Sequence, residues 1–550
     1  MDEVAGVGRP SGQGAGTSAA PRARVIGDRL AQWAEAEPDR RFVRCGGPWL
    51  TFGEVHERSD RLAAGLNEFG VARGERVALV APNRMEYILT FFACAKLGAV
   101  VVPINTFLRG EFLRFQLGDS QAATLITDAA GLREAGPLVP TLPDLRRAVA
   151  LDDDEVPDIG IEVAACRKLE TAEGPPPRPR LSPSDLAGVL YTSGTTGLPK
   201  GCMMSHGYYI AIPRPYFENG WYGADDTILT PFPLFHTSGQ AITLMAGLTE
   251  GAALCFETEF HAGSFIARAG EVDATVLWGV GAMGMAVLAQ PPTETDHDHR
   301  VRLAMWVPMS PESQAAFEAR FGIPVISEGY GQTECTPVTM NHVTGPRKRH
   351  TAGRPTSSFE VRLVDDDDRD VPTGDVGEIV VRPREPDVMF LGYWNRPEAT
   401  VAASRNLWHH TGDSGRADED GFITFVDRKK DALRRRGENV SSMEVEAAIM
   451  RHPAVERAAV HAVPSDLTED DIKVCLTLQP GAALSPEDIF EFCKATLPYF
   501  AAPRYVEIVD ALPLNAMGRI MKHVLRERGV TPGTWDLEAL GLVVGRDERR

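Results

Sequence analysis

The first half of the chain alternates between two patterns of apolar residues. Helix-like spacing recurs between residues 25 and about 180, and short runs rich in β-branched residues separate the helical stretches. The helical stretches are Leu30 to Ala36, Asp60 to Glu68 and Met85 to Leu97, and the β-rich runs are Arg76 to Val80, Ala99 to Pro103 and Thr124 to Thr127. This alternation predicts an α/β fold with parallel strand pairing, and a second such block runs from Asp185 to about Tyr330. The proline-rich run Glu173 to Pro179 predicts a linker between the two blocks.

The pattern changes beyond the second block. Apolar and polar residues alternate one by one in Phe359 to Val364, Gly377 to Arg382 and Gly421 to Val426, which predicts a small antiparallel barrel or sheet. After the charged run Asp427 to Asp431, the predicted elements are a helix at Ser442 to Met450, strands at Val455 to Val463 and Lys473 to Leu478, and a helix at Pro486 to Thr496. The predicted architecture is a large domain at 25–429, built from two α/β subdomains and a small β-barrel, and a smaller α+β domain at 430–530. A disordered N-terminal arm (1–24) and a C-terminal tail (531–550) complete the chain.

Charge and composition exclude several classes of function. The formal net charge of −19 argues against non-specific nucleic-acid binding. The most apolar segment, Tyr87 to Ile104, is interrupted by Lys96 and predicts a helix followed by a strand rather than a membrane span. The eight cysteines form no C-x-x-C pair, which indicates neither a disulfide framework nor a zinc site. Met1 to Arg24 lacks the apolar core of a signal peptide, so we expect a cytoplasmic protein.

The segment richest in chemistry follows an apolar run, Ala187 to Leu190, that predicts a buried strand. It reads Tyr191-Thr-Ser-Gly-Thr-Thr-Gly-Leu-Pro-Lys200-Gly201. Glycine lets backbone N–H groups turn toward an anion, the hydroxyl groups add donors and Lys200 adds a positive charge, so the segment predicts a phosphate-binding loop. It is not a Walker A loop, because Pro199 stands where that motif has glycine. Composition alone also allows a solvated loop.

The string resembles the ATP-phosphate loop of the adenylate-forming (ANL) superfamily, which includes acyl-CoA synthetases, adenylation domains of peptide synthetases and luciferases. The resemblance extends over about Ile26 to Arg528 and implies a C-terminal domain that is mobile. It assigns nucleotide binding to the loop residues Thr192, Ser193, Gly194, Thr195, Thr196, Gly197 and Lys200.

A second motif, Tyr330-Gly-Gln-Thr-Glu334, also resembles a superfamily motif. The resemblance implies that Tyr330, between Gly329 and Gly331, stacks on adenine and that Thr333 bonds the α-phosphate. It places Glu334 on Mg²⁺, a hard cation that suits carboxylate and phosphate oxygens. Taken alone, these residues also fit an ordinary turn before a strand.

Further positions match superfamily residues one by one. Thr411-Gly-Asp413 resembles the motif whose aspartate accepts hydrogen bonds from both ribose hydroxyls, although a turn or helix cap also explains an isolated aspartate there. The resemblance assigns Arg428 to the ribose–phosphate side, Lys430 to the hinge, His236 to the carboxylate and acyl pocket, Trp278, Gly279 and Gly281 to the acyl-pocket lining, and Gly437 with Glu438 to the pantetheine tunnel. The two acyl-pocket glycines leave room for a bulky acyl group, but core packing explains them equally well.

Two further segments narrow the match. Gly392 to Thr400 and Arg434 to Ser441 look most like the carnitine/crotonobetaine–CoA ligase branch. No carrier-protein domain follows in the sequence, so coenzyme A is the expected acceptor. The resemblance thus implies a reaction of ATP, Mg²⁺ and a carboxylic acid to give an acyl-adenylate, and then transfer of the acyl group to coenzyme A.

One position departs from the superfamily pattern. The C-terminal motif ends in Gly-Lys-Ile in relatives and in Gly518-Arg519-Ile520 here. That lysine bridges the substrate carboxylate and the α-phosphate during adenylation, and arginine is not its equivalent at a fitted site. Three interpretations stay open: arginine drift in an arginine-rich chain with activity retained, substitution by the nearby Lys522, or impaired adenylation.

From the third interpretation we predict an enzyme that takes an acyl-adenylate and forms the CoA thioester, with a bulky specialised-metabolism acid as substrate. Antibiotic biosynthesis is the expected setting. A separate adenylating enzyme is then a possible partner, and a homodimer is a family expectation. The alternatives are a complete ATP-dependent acyl-CoA ligase and a non-catalytic scaffold that binds acyl-adenylate.

Overall fold

The computed structural model describes residues 22–152, 157–192, 199–428, 433–435, 438–440, 442–464, 470–497, 501–514 and 520–543. The elements of the first part are α1 (Ile26–Ala36), β1 (Arg41–Cys45), β2 (Leu50–Thr51), α2 (Phe52–Glu68), β3 (Arg76–Val80), α3 (Met85–Leu97), β4 (Val100–Pro103), α4 (Gly110–Asp119), β5 (Thr124–Thr127), α5 (Ala129–Ala135), a 3₁₀ helix (Gly136–Thr141), β6 (Arg147–Ala150), β7 (Glu162–Ala165), α6 (Cys166–Leu169) and β8 (Leu186–Thr192). The next are β9 (Lys200–Ser205), α7 (His206–Ala211), α8 (Arg214–Glu218), β10 (Thr227–Thr230), a π-helix (Ser238–Leu244), α9 (Met245–Glu250), β11 (Ala253–Phe256), a 3₁₀ helix (Ala262–Ser264), α10 (Phe265–Glu271), β12 (Val276–Val280), α11 (Gly281–Leu288), β13 (Leu303–Val307), α12 (Pro311–Phe321) and β14 (Val325–Ile326).

Two largely parallel sheets organise these elements. The strand order is β7-β6-β5-β3-β4-β8-β9 in the first sheet and β14-β13-β12-β10-β11-β1-β2 in the second. Only the edge pairs β8–β9 and β1–β2 are antiparallel among these strands, so the predicted parallel α/β fold is confirmed.

The sheets do not follow the two sequence blocks. Strand β1 pairs with β11 in the second sheet, and β8, which lies beyond the proline-rich run, pairs with β4 in the first. Each sequence block therefore contributes strands to both sheets. The proline-rich run at Glu173 to Pro179 does not mark the boundary between the two sheets.

Helix α3 shows why this arrangement, in which both sequence blocks contribute strands to both sheets, is stable. Every residue from Tyr87 to Leu97 is buried, because the helix lies in a core shared by both sheets, which includes Leu79 of β3 and Ile228 of β10. A helix that is mostly apolar on all sides fits such an interior position. None of the described helices is both long and apolar enough to cross a bilayer.

The antiparallel part follows at β15 (Gly329–Gln332), β16 (Cys335–Met340), β17 (Arg354–Pro355), β18 (Phe359–Val364), β19 (Val376–Pro383), α13 (Pro397–Ala402), β20 (Ser404–Arg405), β21 (Trp408–Ala417) and β22 (Ile423–Arg428). The order β18-β19-β21 continues into both β20 and β22. Cys335 and Val338 of β16 join the apolar core of this sheet. The strands predicted from one-by-one alternation are therefore confirmed, and they lie against the β15–β16 hairpin.

The C-terminal unit contains β23 (Leu433–Arg435), β24 (Glu438–Val440), α14 (Ser442–Ile449), β25 (Val455–Pro464), β26 (Asp470–Leu478), α15 (Pro486–Thr496), β27 (Tyr505–Ile508), α16 (Lys522–Arg528) and β28 (Trp535–Asp536). It has an apolar core of its own and a mixed sheet in the order β25-β26-β27-β28. Arg504 holds Asp536 through two hydrogen bonds of 3.1 and 2.9 Å. The sheet thus continues past residue 530, where the predicted domain ends.

Candidate active site

The β15–β16 hairpin carries Thr333 and Glu334 at its tip, and a buried tyrosine holds that tip. The Tyr208 hydroxyl donates to the Thr333 carbonyl at 3.1 Å and accepts from the Thr336 N–H at 2.9 Å. Burial raises the pKa of Tyr208 well above its usual value, so the phenol stays protonated. Tyr208 is a positioning residue that sequence reasoning missed, because it lies on α7, far from the motif.

Tyr393 contacts both Glu334 and the phosphate-loop lysine. The Tyr393 hydroxyl donates to Glu334 Oε1 at 2.8 Å, and Lys200 Nζ lies 4.8 Å from the centre of the Tyr393 ring. Glu334 is 8% exposed. Tyr393 therefore connects two residues that are predicted to bind phosphate and metal. Its segment, Gly392 to Thr400, had indicated only the branch of the family and no role in the site.

The donor set fits Mg²⁺. Glu334 supplies one carboxylate, and the described residues contain no group of three or more histidine, cysteine, aspartate or glutamate side chains that would form a complete metal cage. Mg²⁺ is commonly bound by one or two carboxylates together with substrate phosphates. Glu334 would hold the ion, which would neutralise phosphate charge there.

Asp413 forms the second end of the site. Its Oδ2 accepts from the Tyr330 hydroxyl at 2.7 Å and from Gln332 Nε2 at 2.7 Å, and Asp413 is 4% exposed. Gln332 also donates to the Thr411 carbonyl at 2.9 Å. Burial, with the nearby Asp413 charge, raises the pKa of Tyr330 well above its usual value, so Tyr330 remains a donor. These bonds place the predicted adenine and ribose residues side by side.

His236 approaches the same hairpin from the end of β10. The neighbouring Thr237 hydroxyl lies 3.0 Å from the Thr333 hydroxyl. His236 Nδ1 accepts the Ser238 N–H at 3.2 Å, where a π-helix starts; such turns are frequent at functional sites. Burial lowers the pKa of His236 to about 4, so the ring is neutral at pH 7, and the Nδ1 bond assigns its hydrogen to Nε2.

The two glycines predicted to line an acyl pocket have their side-chain space filled. A Cβ on Gly279 would lie 2.5 Å from the Trp306 ring, and one on Gly281 would lie 1.6 Å from the Pro308 carbonyl oxygen. Close packing against β13 and the segment after it therefore requires glycine at both positions, which favours the core-packing interpretation. Trp278 is buried on β12 and packs against other aromatic rings.

Comparison with known proteins decides the family. The family model described as AMP-binding enzyme matches residues 30–394, and that described as AMP-binding enzyme C-terminal domain matches residues 444–519. A crotonobetaine/carnitine–CoA ligase of Salmonella paratyphi A is 32% identical over 523 residues, which cover 92% of this chain and 97% of the relative. This chain belongs to the acyl-CoA ligases of the adenylate-forming superfamily.

Solved structures of other acyl-CoA ligases have the same fold. The anthranilate CoA ligase AuaEII in complex with anthranoyl-AMP superposes with a TM-score of 0.82 at 26% identity, covering 92% of this chain and 98% of that one. The o-succinylbenzoate CoA synthetase of Bacillus subtilis, in complex with its acyl-adenylate intermediate, gives 0.79 at 25% identity, with 90% and 97% covered.

Several positions assigned from the sequence of this ligase lie outside the described residues. They are Ser193, Gly194, Thr195, Thr196, Gly197, Lys430, Gly437 and Arg519, together with the side chains of Arg428 and Glu438. Thr192 and Lys200, which flank the phosphate loop, face each other across the β8–β9 hairpin. Leu514 and Ile520 pair across the segment that contains Arg519.

Lys522, the proposed substitute for the missing lysine, is engaged within the C-terminal unit. Its Nζ lies 2.8 Å from Glu446 Oε1 and donates to Ser442 Oγ at 2.5 Å. Ser442 in turn donates from both its N–H and its hydroxyl to Asp427 Oδ2, each at 2.7 Å. In this conformation Lys522 thus stabilises the junction between β22 and α14.

Replacing His409 with phenylalanine should make the folding stability of the acyl-CoA ligase less dependent on pH between pH 7 and pH 5. His409 precedes the Thr411–Asp413 motif on β21 and packs edge-on against Phe390, with ring centres 5.3 Å apart. Burial, and then the charge of His410, lower the pKa of His409 to about 4. Between pH 6.5 and 4 the unfolded chain binds a proton that the folded chain does not, so stability falls as pH falls, by about 2 kcal/mol at pH 5.

The measurement is the apparent melting temperature at pH 7 and pH 5. We expect the difference between the two values to narrow by about 2 °C in His409→Phe. The exposed His350→Phe variant should keep the wild-type difference. An unchanged difference in His409→Phe would contradict the assignment of a neutral, buried imidazole.

Proposed function

We propose that this chain forms an acyl-CoA thioester from an acyl-adenylate and coenzyme A, and that its own adenylation from ATP is impaired. The observation that carries the proposal is Arg519 at the position of the superfamily lysine. Arginine keeps the charge, but its planar fork is wider and does not reproduce an ammonium that bridges two oxygens. The loss of one well-placed transition-state donor costs about 10²- to 10³-fold in rate.

The engagement of Lys522 supports this proposal. Removing Lys522 from Glu446 would leave a buried carboxylate without a cationic partner, because Glu446 is largely shielded and burial already raises its pKa. A lysine held in this way is a poor substitute for one that must reach the reacting carboxylate. With Lys522 engaged in this way, Arg519 of the C-terminal motif is the cation left to take part in adenylation.

The contacts among the residues predicted to bind the adenylate support retention of the second step. Tyr330 and Gln332 hold Asp413, and Thr237 lies against Thr333, so the residues predicted to bind ribose and α-phosphate are positioned together. In the thioester step AMP is already a good leaving group, and the protein mainly positions the acyl carbonyl and the thiol and stabilises developing charge. A scaffold without catalytic activity would not need these positioned groups.

A complete ATP-dependent ligase is the second candidate, because Lys200 and Glu334 are both present and are connected through Tyr393. Crotonobetaine and carnitine ligases are named for activation of small polar acids; for this chain we propose a bulkier specialised-metabolism acid. A separate adenylating enzyme would then supply the acyl-AMP, and coenzyme A and Mg²⁺ are the proposed co-substrate and metal.

The test gives wild-type protein either a panel of synthetic acyl-AMPs with coenzyme A, or the matching acids with ATP, Mg²⁺ and coenzyme A. The panel covers aryl, fatty, amino and terpenoid acids, and thioesters are quantified by mass spectrometry. We expect thioester from acyl-AMP at a rate about 10²-fold or more above that from the acid. Equal rates would show a complete ligase, and no thioester in either arm would show a scaffold.

Replacing Lys200 with alanine should leave thioester formation from acyl-AMP within about threefold of wild type, because pyrophosphate is absent from that step. Lys348→Ala is the matched control, since Lys348 also lies over an aromatic ring, Phe422 at 4.9 Å, and pairs with Asp418 beyond the end of β21. Steady-state kinetics with acyl-AMP and coenzyme A provide the comparison. A large loss in Lys200→Ala alone would mean that the phosphate loop acts in the thioester step.

A further inference from the structure

The segment that leads to His236 is held by side chains from a distant part of the fold. It runs between β10 and the π-helix, yet Phe232 and Leu234 within it are buried. Buried backbone N–H and C=O groups need hydrogen-bond partners, and a segment outside helices and strands must find many of them among side chains. Here the partners come from Asn83 and Tyr87, at the start of α3.

Asn83 joins three backbone groups through one side-chain amide. Its Oδ1 accepts the Leu234 N–H at 2.7 Å, and its Nδ2 donates to the carbonyl oxygens of Phe232 and Glu257, each at 2.9 Å. Phe232 follows β10 and Glu257 follows β11, which are parallel neighbours in the second sheet. The buried amide of Asn83 therefore extends the hydrogen bonding between these two strands beyond their ends.

Tyr87 holds the same segment from the first turn of α3. Its hydroxyl donates to the Leu234 carbonyl at 3.1 Å and accepts from Gln240 Nε2 at 3.2 Å. The Tyr209 hydroxyl donates to Gln240 Oε1 at 2.6 Å and so fixes the orientation of that amide. Burial raises the pKa of Tyr87 well above its usual value, so the phenol stays protonated and remains a donor.

Backbone hydrogen bonds on both sides of His236 transmit this restraint to its ring. The His236 N–H donates to the Pro233 carbonyl at 3.1 Å, and the His236 carbonyl accepts the Gln240 N–H at 2.9 Å. Pro233 lies between the two residues whose backbone Asn83 binds, and the Gln240 side chain is bound by Tyr87. The chain is thus fixed immediately before and immediately after His236.

We infer that Asn83 and Tyr87 are positioning residues for the reaction, and that together they form an α3 clamp that holds the His236 ring against the acyl group. The inference rests on the proposed function, in which the chain holds an acyl-adenylate. Because His236 Nδ1 accepts the Ser238 N–H, the ring carries its hydrogen on Nε2, which would donate to an oxygen of the acyl group. Such a bond depends on placement, and an error of about 1 Å costs up to about 10²-fold in rate.

Loss of the α3 clamp should slow the reaction without weakening the binding of nucleotide. Asn83→Ala removes three hydrogen bonds, and Tyr87→Phe keeps the ring but leaves the Leu234 carbonyl without its donor. We expect kcat for thioester formation from acyl-AMP to fall by about tenfold or more in Asn83→Ala and by about three- to tenfold in Tyr87→Phe. The KM for coenzyme A and the Kd for AMP should stay within about twofold of wild type.

A double-mutant cycle with His236→Ala separates positioning from a general loss of stability. If the clamp acts through His236, Asn83→Ala should cost less than about threefold in a chain that already carries His236→Ala. The full loss of about tenfold or more in that background would overturn the inference, and so would a wild-type kcat in His236→Ala. The same cycle with Tyr87→Phe decides the matter if Asn83→Ala fails to fold.

The matched controls lose the same kinds of hydrogen bond near α8. Asn219 Nδ2 donates to the Pro215 carbonyl at 2.8 Å, and the buried Tyr222 hydroxyl donates to the Pro213 carbonyl at 2.8 Å. Asn219→Ala and Tyr222→Phe should keep kcat within about twofold of wild type. Losses in these controls as large as those in the clamp variants would overturn the inference.

A crystal structure of Asn83→Ala, or of Tyr87→Phe if that variant alone folds, tests the clamp apart from turnover. We expect the His236 ring to move by about 1 Å or more while Thr333 stays in place. An unmoved ring would overturn the inference. Equal thioester formation from acid with ATP and from acyl-AMP would defeat the proposed function, yet the cycle would still test the clamp. No thioester from either would also defeat the proposed function, and the crystal structure would then decide the inference.

Discussion

Replacing Arg519 with lysine should raise carboxylate-dependent exchange between pyrophosphate and ATP by about 10²- to 10³-fold. Under the proposed function, the wider guanidinium does not make the bridge between substrate carboxylate and α-phosphate, and the ammonium group would restore it. Thioester formation from supplied acyl-AMP should change little, because that step does not use the bridge. Labelled pyrophosphate exchange and acyl-AMP turnover, measured on the same preparation, separate the two steps.

Arg528→Lys is the control for the Arg519 variant, since Arg528 is an exposed arginine of α16 in the same domain. It should leave both reactions at the wild-type level. If Arg519→Lys gains no exchange, arginine at this position is not the cause of impaired adenylation. If Arg519→Lys does gain exchange, adding Lys200→Ala to it should remove that gain, because the phosphate-loop lysine would again be needed for pyrophosphate.

Replacing Asp413 with asparagine should lower kcat/KM for acyl-AMP by about 10²-fold or more, because hydrogen bonds to a carboxylate are stronger than those to a neutral amide. The buried Asp413 accepts from Tyr330 and Gln332, and the proposal adds two ribose hydroxyls. An asparagine would turn an N–H₂ group toward one of these donors. Kinetics with a varied acyl-AMP concentration at saturating coenzyme A measure the loss.

Asp420→Asn provides the comparison for Asp413. Asp420 is exposed, pairs with Lys348 Nζ at 2.7 Å and lies between β21 and β22 of the same sheet. Its replacement should leave kcat/KM within about twofold of wild type, as expected for a surface ion pair. Similar kinetics for Asp413→Asn and wild type would show that Asp413 does not bind the adenylate.

The sequence predicted the residue types of the site better than their contacts. Tyr330 and Asp413 were identified from separate motifs, and the structure brings them within 2.7 Å of each other. Tyr208 and Tyr393 could not be identified as positioning residues, because a tyrosine on a helix or after a strand has no local pattern that reveals its partner. Their roles depend on Thr333 and Glu334, which lie far away in the chain.

Strand pairing shows the same limit on a larger scale. Alternating patterns predicted parallel strands, but they did not indicate that β1 joins the sheet of β11 or that β8 returns to β4. Pairing between distant strands is set by shared burial, here around the buried helix α3. Glycine is ambiguous for a related reason: the ring of Trp306, which fills the space beside Gly279, comes from another strand.

The central claim is most directly tested by comparing the two half-reactions in wild-type protein. Pyrophosphate–ATP exchange with a carboxylic acid and Mg²⁺, without coenzyme A, measures adenylation alone, and acyl-AMP of the same acid with coenzyme A measures thioester formation alone. We predict that exchange is slower than thioester formation by about 10²-fold or more. Exchange at a rate equal to or above that of thioester formation would contradict the account.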